Sequence, residues 1–106
     1  MDREEYVERV LVMVERIPPG RVMSYGDVAE AVGVGGPRQV GRVMSLEGGA
    51  VPWWRVVRAD GGLPLCHDGR ALAQHRAEGT PLRSPERVDM ELARWWPPDG
   101  PGGGTG

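Results

Sequence analysis

The amino-terminal segment predicts an amphipathic helix. Apolar residues recur at helical spacing from Tyr6 to Val14, which places them on one face. Asp2 and Glu5 form a cap pair at the start of this stretch. The run Ile-Pro-Pro-Gly at 17–20 ends it, because proline and glycine interrupt a helix. We therefore expect the first helix to lie between the cap pair and this run.

Two short helical patterns joined by glycines follow. Ser24 caps the first of them, with Asp27 three residues later, and Gly33 gives it a carboxyl-terminal stop. A Gly-Gly pair makes the turn, and Pro37 lies in the first turn of the next helix, which stops near Gly48. The predicted inner faces consist of Val28, Ala29 and Val32 in one helix and Val40, Val43 and Met44 in the other. This arrangement indicates a helix-turn-helix.

The pattern changes in the second half of the chain. Residues 51–57, which read Val-Pro-Trp-Trp-Arg-Val-Val, look extended and predict a loop or a short strand, and an Asp-Gly-Gly turn signal at 60–62 follows them. A fourth helix is predicted over 71–79. The Ser-Pro-Glu run at 84–86 opens a predicted fifth helix, whose Trp-Trp pair at 95–96 is expected to plug the core.

These elements predict a mainly α fold, a single small winged helix-turn-helix-like domain with short extended segments. At 106 residues the chain has room for one compact domain, and a second is not expected. We expect the domain to span 1–96. Residues 97–106 are mostly Pro and Gly with little to bury, so we expect them to form a disordered tail.

The composition is that of a soluble globular domain, with 40% hydrophobic and 26% charged residues. No apolar run approaches the ~20 residues that a membrane helix needs, and the charged amino terminus does not resemble a signal peptide. The one cysteine, Cys66, has no partner for an internal disulfide, which agrees with a reducing compartment. We expect a cytoplasmic protein without membrane contact.

The net charge of −2 is unevenly distributed along the chain. Residues 1–20 and 59–106 each contain two more acids than arginines. Residues 21–58 contain five arginines against three acids, so a net charge of +2 falls on the predicted helix-turn-helix. This asymmetry suits a surface that faces the phosphates of DNA.

Arg38 and Arg42 are the first candidates for a binding role. They lie four residues apart on the predicted third helix, opposite its apolar stripe, so both point outward. Outward arginines on a recognition helix contact phosphates or base edges, or enter the stack where a base has left. On spacing alone, two solvated surface arginines are an equally good interpretation.

Aromatic residues form the second group of candidates. Tyr25 starts the second helix, where it either presses on a phosphate or packs against the protein. On a strand, the neighbours Trp53 and Trp54 point to opposite sides, so one of them is expected to be exposed or to lie in a pocket. An indole face in a cleft holds a base by stacking. Packing of both indoles against the later helices is the alternative interpretation.

Cys66, His67 and His75 are the candidates for covalent or metal chemistry. His67 is adjacent to Cys66 and in principle activates its thiol. As zinc ligands, three candidates with two of them adjacent do not match a structural zinc spacing. We therefore expect no metal site and no cofactor.

The chain also resembles a known family over roughly Tyr6 to Arg83. The ordered motifs that carry the resemblance are Ile-Pro-Pro-Gly-Arg-Val at 17–22, Ser-Tyr-Gly-Asp-Val-Ala at 24–29, Gly-Pro-Arg-Gln-Val-Gly at 36–41, Pro-Trp-Trp-Arg-Val-Val at 52–57 and Ala-Glu-Gly at 77–79. They are similar to the DNA-binding domain of the O6-alkylguanine-DNA alkyltransferases. In the active enzymes the fourth motif reads Pro-Cys-His-Arg, whose Cys accepts the alkyl group. Trp53 stands at the Cys position, as in the alkyltransferase-like branch, which binds alkylated DNA without repairing it.

The resemblance implies a non-enzymatic protein that binds double-stranded DNA in the minor groove. Tyr25 would rotate the backbone, Arg38 would fill the gap left by a flipped O6-alkylguanine, and a pocket near Trp53 would receive that base. The implied DNA-binding residues are Ser24, Tyr25, Pro37, Arg38, Gln39 and Arg42. The implied pocket residues are Tyr25, Val51, Trp53, Trp54, Arg55, Cys66 and His67. The chain would act as a monomer and pass the marked lesion to nucleotide excision repair proteins.

Three positions qualify this resemblance. Alkyltransferase-like proteins usually keep the His after the Trp, whereas this chain has Trp54, which changes the shape and polarity of the pocket. Glu47 stands nearest to the Asn that, in the active enzymes, joins the recognition helix to the active-site segment. Glu78 matches the family's Glu, but because its Cys and His partners are missing, its role is expected to be structural.

Two other functions remain open from the sequence. A helix-turn-helix regulator would read an undamaged operator, although one such module would need a dimer for specificity and no dimerising helix is apparent. A residual alkyltransferase would use Cys66, which lies well past the acceptor position.

Overall fold

The computed structural model describes residues 2–64 and 69–98. The α-helices in these ranges are α1 (Arg3–Arg16), α2 (Tyr25–Val32), α3 (Pro37–Glu47), α4 (Arg70–Glu78) and α5 (Met90–Ala93). The short strands are β1 (Met23–Ser24), β2 (Val56–Val57), β3 (Leu82–Ser84) and β4 (Arg87–Val88). The mainly helical fold predicted from the sequence is therefore confirmed. None of these helices has the length and apolar character needed to cross a bilayer.

Helices α1 to α3 begin and end where the local cap residues direct them. The Asp2 carboxylate accepts a hydrogen bond from the Glu5 N–H at 2.8 Å, which caps α1. In α2 the capping box is complete: the Ser24 hydroxyl accepts from the Asp27 N–H at 3.0 Å, and the Asp27 carboxylate accepts from the Ser24 N–H at 3.1 Å. Gly33 ends α2 in the left-handed region at φ 92°. These short-range contacts make the helix-turn-helix readable from sequence.

The main hydrophobic core lies between these three helices and the first pair of strands. Val10, Val28 and Val40 contribute one fully buried side chain from each helix. The complete first cluster is Val7, Val10, Met13, Val14, Ile17, Met23, Val28, Ala29, Ala31, Val40, Val43, Met44, Val51 and Val56. Because each fully buried Val contributes roughly 1.5–3 kcal/mol, this cluster holds α2 and α3 in a fixed relation.

The stretch 51–57 is extended only at its end, which corrects part of the sequence prediction. Residues Trp53–Arg55 form a 3-10 turn, closed by a hydrogen bond from the Arg55 N–H to the Pro52 carbonyl at 3.1 Å. Strand β2 follows and pairs in parallel with β1, with Met23 opposite Val56. The turn forms because the Arg55 N–H bonds within the segment to the Pro52 carbonyl, whereas pairing with β1 begins only at Val56.

The predicted fifth helix over 84–96 is wrong. In its place, β3 and β4 form an antiparallel hairpin in which Leu82 pairs with Val88, and α5 occupies only Met90–Ala93. Two features redirect the chain. Val88 becomes fully buried through this pairing, and the Asp89 carboxylate accepts hydrogen bonds from the Glu91 and Leu92 N–H groups, so the helix starts later.

A second cluster lies under the hairpin and α4. It consists of Val22, Val57, Leu63, Ala71, Val88 and Ala93. Trp53 packs against both clusters, while Trp95 and Trp96 pack against the first, as the core plug that the sequence predicts. Pro97, assigned from the sequence to the tail, is buried. Residues 99–106 of that tail lie outside the described residues.

The turn between α2 and α3 gives a test of this packing. Gly35 has φ 79°, and a methyl group there would collide with the Tyr6 hydroxyl and lie 2.9 Å from Cζ of the same ring. That hydroxyl is buried and has no hydrogen-bond partner among the described residues, and burial raises the pKa of Tyr6. The turn therefore needs glycine both for its backbone conformation and for the closeness of Tyr6.

We expect Gly35→Ala to lower the free energy of unfolding by about 1–2 kcal/mol or more, because the left-handed conformation alone carries that penalty for a residue with a side chain. Thermal unfolding measures the loss. Gly49→Ala is the matched control, since a methyl group at Gly49 meets no atom within 4 Å. Equal melting temperatures for the two variants would show that Tyr6 and the turn tolerate the extra group.

Candidate nucleic-acid interface

The outward face of α3 presents two arginines to solvent. Arg38 and Arg42 are exposed, one turn apart, while Val40 and Val43 point into the core. With Gln39 they line an open depression. Within residues 2–64 and 69–98 neither guanidinium forms an ion pair. Both positive charges are therefore available to an anionic partner such as the phosphates of DNA.

The start of α2 and the start of α3 differ in what they expose. Tyr25, the first residue of α2, is half-buried, and a methyl group at Gly41 of α3 would lie 4.0 Å from its ring. Ser24 is buried, with its hydroxyl engaged in the cap of α2. Pro37 and Gln39 are exposed, and the Gln39 side chain accepts a hydrogen bond from the Gly36 N–H at 2.9 Å. Ser24 therefore lies beneath the surface, and the other predicted contacts lie on it.

The two adjacent tryptophans meet each other, contrary to the expectation that they point to opposite sides. Because Trp53 and Trp54 lie in a 3-10 turn, their rings pack edge to face, with centroids 5.6 Å apart and planes at 88°. Both are half-buried, next to buried Val51. The predicted pocket residues Cys66 and His67 lie outside the described residues.

Glu78 anchors this turn to two other parts of the fold. Its carboxylate accepts hydrogen bonds from the Trp54 indole N–H at 3.0 Å and the Gly20 N–H at 3.0 Å, and it forms an ion pair with Arg55 at 2.5 Å. Burial alone would raise the pKa of Glu78, but hydrogen bonds from Arg55, Gly20 and Trp54 outweigh it and lower that pKa. The carboxylate of Glu78 therefore stays ionised, and its oxygens are hydrogen-bonded to Arg55, Trp54 and Gly20.

Arg55 completes the anchor. Its Nη1 donates to the Ile17 carbonyl at 2.9 Å, and its guanidinium carbon lies 5.3 Å from the centroid of the Trp54 ring. Side-chain exposure is 13% for Arg55 and 11% for Glu78, so solvent screens this pair weakly. Arg55, predicted as a pocket residue, thus supports Trp54 from below.

His75 is committed to holding the same turn. Its Nε2 lies 2.6 Å from the Trp54 carbonyl and its Nδ1 lies 2.8 Å from the Thr80 hydroxyl, so Nε2–H donates and Nδ1 accepts in the neutral ring. Burial lowers the pKa of His75, which favours this neutral form. Both ring nitrogens are used inside the protein. Among the described residues no group of three or more His, Cys, Asp or Glu side chains has a metal-holding arrangement.

Glu47, at the end of α3, contacts α1. Its carboxylate accepts from Arg3 Nη1 at 3.3 Å, and both side chains are well exposed. The resemblance associates the Glu47 position with a link between the recognition helix and the pocket. In this chain Glu47 links α3 to α1 instead.

Sequence reasoning missed one partly buried ion pair beside the interface. Asp27, treated there only as a cap residue, also accepts two hydrogen bonds from Arg94, at 2.9 and 2.6 Å. The partners are 67 positions apart, so no periodicity indicates the contact. The sequence carries no local signal for it, because a capping-box carboxylate already has the N-cap N–H as its partner.

Comparison with known proteins gives consistent results. The protein-family model described as the DNA-binding domain of 6-O-methylguanine DNA methyltransferase matches residues 5–79 of this chain. A DNA base-flipping protein of Escherichia coli (strain K12) is 37% identical over 103 residues, which cover 90% of this chain and 78% of that relative. A DNA base-flipping protein of Vibrio parahaemolyticus is 28% identical over 101 residues, covering 89% and 99% respectively.

A solved structure extends the similarity to the fold. The crystal structure of S. pombe Atl1 in complex with damaged DNA containing O6-carboxymethylguanine has a TM-score of 0.78 and 28% sequence identity to this chain. The similarity covers 92% of this chain and 100% of the Atl1 chain. With its whole helix-turn-helix, its Trp53 turn and Glu78 inside the matched range, the chain belongs to the family of the 6-O-methylguanine DNA methyltransferase DNA-binding domain.

Proposed function

We propose that this protein recognises DNA damage without repairing it. It binds double-stranded DNA in the minor groove through α2 and α3, flips O6-alkylguanine out of the stack and holds the base in a pocket at Trp53. The feature that carries the proposal is Trp53, which the resemblance aligns with the acceptor Cys and which lies in a turn held by Glu78 and His75. The relatives named base-flipping proteins and the Atl1 complex support the same function.

The chemistry of the Trp53 turn supports a non-enzymatic role. A carbon-bound alkyl group moves only to a strong nucleophile, and the indole of Trp53 is not one. Trp54 stands in place of the family's His. The nearby His75 is neutral and bonded at both nitrogens, and Glu78 is bonded to Arg55 and Trp54. Of the described groups that bond to this turn, the imidazole of His75 and the carboxylate of Glu78 are thus both engaged inside the protein.

The interface proposed for DNA combines five surface residues. Arg38 fills the gap left by the flipped base, Arg42 contacts phosphate, and Pro37 and Gln39 border them at the start of α3. Tyr25 contacts the backbone beside the lesion. Ser24 acts from below, through the cap that fixes the start of α2. Val51 and Trp54 border the proposed pocket, and Arg55 supports it through its contact with the Trp54 ring.

Two further parts of the proposal concern the wider process. A protein that holds a lesion without removing it must hand the lesion to another repair activity, and the family resemblance points to nucleotide excision repair proteins. The chain acts as a monomer, since one helix-turn-helix and one pocket suffice for a single flipped base.

The direct test is a titration against two short duplexes that differ only by one O6-methylguanine, at fixed salt because non-specific affinity varies steeply with salt. Clearly tighter binding to the modified duplex supports lesion recognition. Equal affinities would favour a plain DNA-binding module instead.

Arg38→Ala is expected to weaken binding to modified and unmodified duplex alike, by about tenfold, because the gap left by a flipped base stays unfilled. Arg83→Ala is the control, since Arg83 is exposed and its ion pair to Asp89 is long, at 3.8 Å. The same titration measures both variants. Wild-type affinity in Arg38→Ala would remove Arg38 from the interface.

Trp53→Ala is expected to reduce mainly the preference for the modified duplex, by about fivefold or more, since stacking of a base on an aromatic ring contributes roughly 1–3 kcal/mol. Trp53→Phe keeps an aromatic face and serves as the matched variant, with a smaller loss. If Trp53→Ala lowers both affinities equally, Trp53 is a residue of the fold and not of the pocket.

No alkyl transfer is expected from O6-methylguanine to this protein or to its Trp53→Cys variant. A new thiol at that position lacks a base, because Trp54 replaces the His and His75 is occupied. Intact-protein mass spectrometry after incubation with the modified duplex checks both proteins. A single methyl adduct on the wild type would instead establish Cys66 as an acceptor and sink the non-enzymatic proposal.

A further inference from the structure

The segment after α5 is bonded to the strand that leads into α2. The Val22 N–H donates to the Ala93 carbonyl at 3.0 Å, and the Trp95 N–H donates to the Val22 carbonyl at 2.8 Å. Val22 and Arg94 thereby form a parallel bridge directly before β1. This segment lies beyond residues 5–79, the range that the family model covers. It nevertheless grips the backbone two residues ahead of the cap of α2.

The Arg94 side chain then reaches the cap itself. Its Nε and Nη2 donate to the two carboxylate oxygens of Asp27, at 2.9 and 2.6 Å. Asp27 is only 7% exposed, so removing its cation would leave a buried carboxylate without its charged partner. The ring of Trp96 lies over the guanidinium, 5.3 Å from its carbon, and limits its movement.

One carboxylate therefore serves two purposes. Asp27 accepts from the Ser24 N–H, which closes the capping box, and from Arg94, which fixes the plane of the carboxylate. A bidentate guanidinium defines that plane more narrowly than a single hydrogen bond does. Tyr25 lies between Ser24 and Asp27 in the chain, so this ring of contacts holds the backbone from which its side chain projects.

We propose that Arg94 is a positioning residue for the DNA-contacting surface, which acts through Asp27 by holding the first turn of α2, and with it Tyr25, in place against α3. The inference rests on the proposed function for the identity of the ligand. It adds one requirement to that function. The carboxyl-terminal segment, which lies outside the residues that match the family model, is needed to hold the helix-turn-helix in its binding conformation. The Asp27 charge is also neutralised at the end of α2 that would face phosphates.

Direct contact of Arg94 with phosphate is the competing role. A phosphate contact requires only a positive charge, whereas a positioning role requires the bidentate geometry of the guanidinium. The side chain is 47% exposed, so solvent and DNA reach it. A phosphate contact by Arg94 would survive replacement by Lys, because Lys also binds phosphate as a point charge. A positioning role would not survive it, because Lys cannot hold both carboxylate oxygens in one plane.

The experiment compares Arg94→Lys, Arg94→Gln and the control Arg87→Gln. Arg87 is exposed and paired to Asp60 at 3.2 Å on the hairpin, so the control makes the same change of charge away from α2. Affinity for the unmodified duplex is measured over a salt series, at a temperature where melting curves show each variant folded. We expect both Arg94 variants to bind about tenfold more weakly, with an unchanged salt slope for Arg94→Lys, and Arg87→Gln to stay within about twofold of wild type.

A double-mutant cycle with Asp27→Asn tests whether Arg94 acts through Asp27. On the Asp27→Asn background, we expect Arg94→Gln to change affinity by less than about twofold, since the pair is already broken. Full additivity, or wild-type affinity in Arg94→Lys, would overturn the inference. A salt slope reduced by about one in Arg94→Gln with normal binding by Arg94→Lys would assign Arg94 to phosphate contact.

Amide hydrogen exchange makes the outcome independent of DNA binding. In Arg94→Lys we expect faster exchange at the Ser24 and Asp27 amides, which the capping box protects, and unchanged rates there in Arg87→Gln. If the wild type binds neither duplex while these amides respond, the proposed function fails and the positioning role stands. If the wild type binds DNA and the amides do not respond, the positioning role fails alone.

Discussion

The ionised carboxylate of Glu78 is the interaction on which the site depends. A buried carboxylate is stable only when cations and N–H donors surround it, and here they come from Arg55, Trp54 and the Gly20 backbone. These donors belong to the Trp53–Arg55 turn and to the loop after α1, while Glu78 itself ends α4. One charge therefore joins three separate parts of the chain.

The same contacts suit the proposed site to holding a base rather than to reacting with one. His75 and Glu78 are the groups best suited to move a proton, and both are occupied in supporting the backbone and indole of Trp54. Preorganised support of this kind lowers the cost of binding because fewer side chains lose freedom when a ligand arrives. A site for chemistry would need at least one of these groups to be free and facing the ligand.

The limits of sequence reasoning follow from the range of each interaction. Helices α1 to α3 were predictable because their caps are local. The Ser24 and Asp27 pair, for example, lies within the first turn of the helix that it starts. The predicted helix over 84–96 failed because Leu82 pairs with Val88 and Asp89 supplies a later cap. Most of the candidate interface came from local motifs and resemblance. The pairs of Glu78 with Arg55 and Asp27 with Arg94 join distant positions, which periodicity does not report.

The sequence predicts a positive helix-turn-helix from the net charge of residues 21–58. In the structure, the positive surface depends on which of these charges are paired with residues elsewhere in the chain. Of the charges in residues 21–58, Arg55 is neutralised by Glu78 and Asp27 by Arg94, and Glu47 pairs with Arg3. What remains on the outward face of α3 is Arg38 and Arg42, whose charges no described residue neutralises. Distant partners thus pair two of the three acids in this range, Asp27 and Glu47, while Arg38 and Arg42 keep their positive charges on α3. A phosphate backbone meets a more positive surface than a net charge of −2 for the chain would indicate.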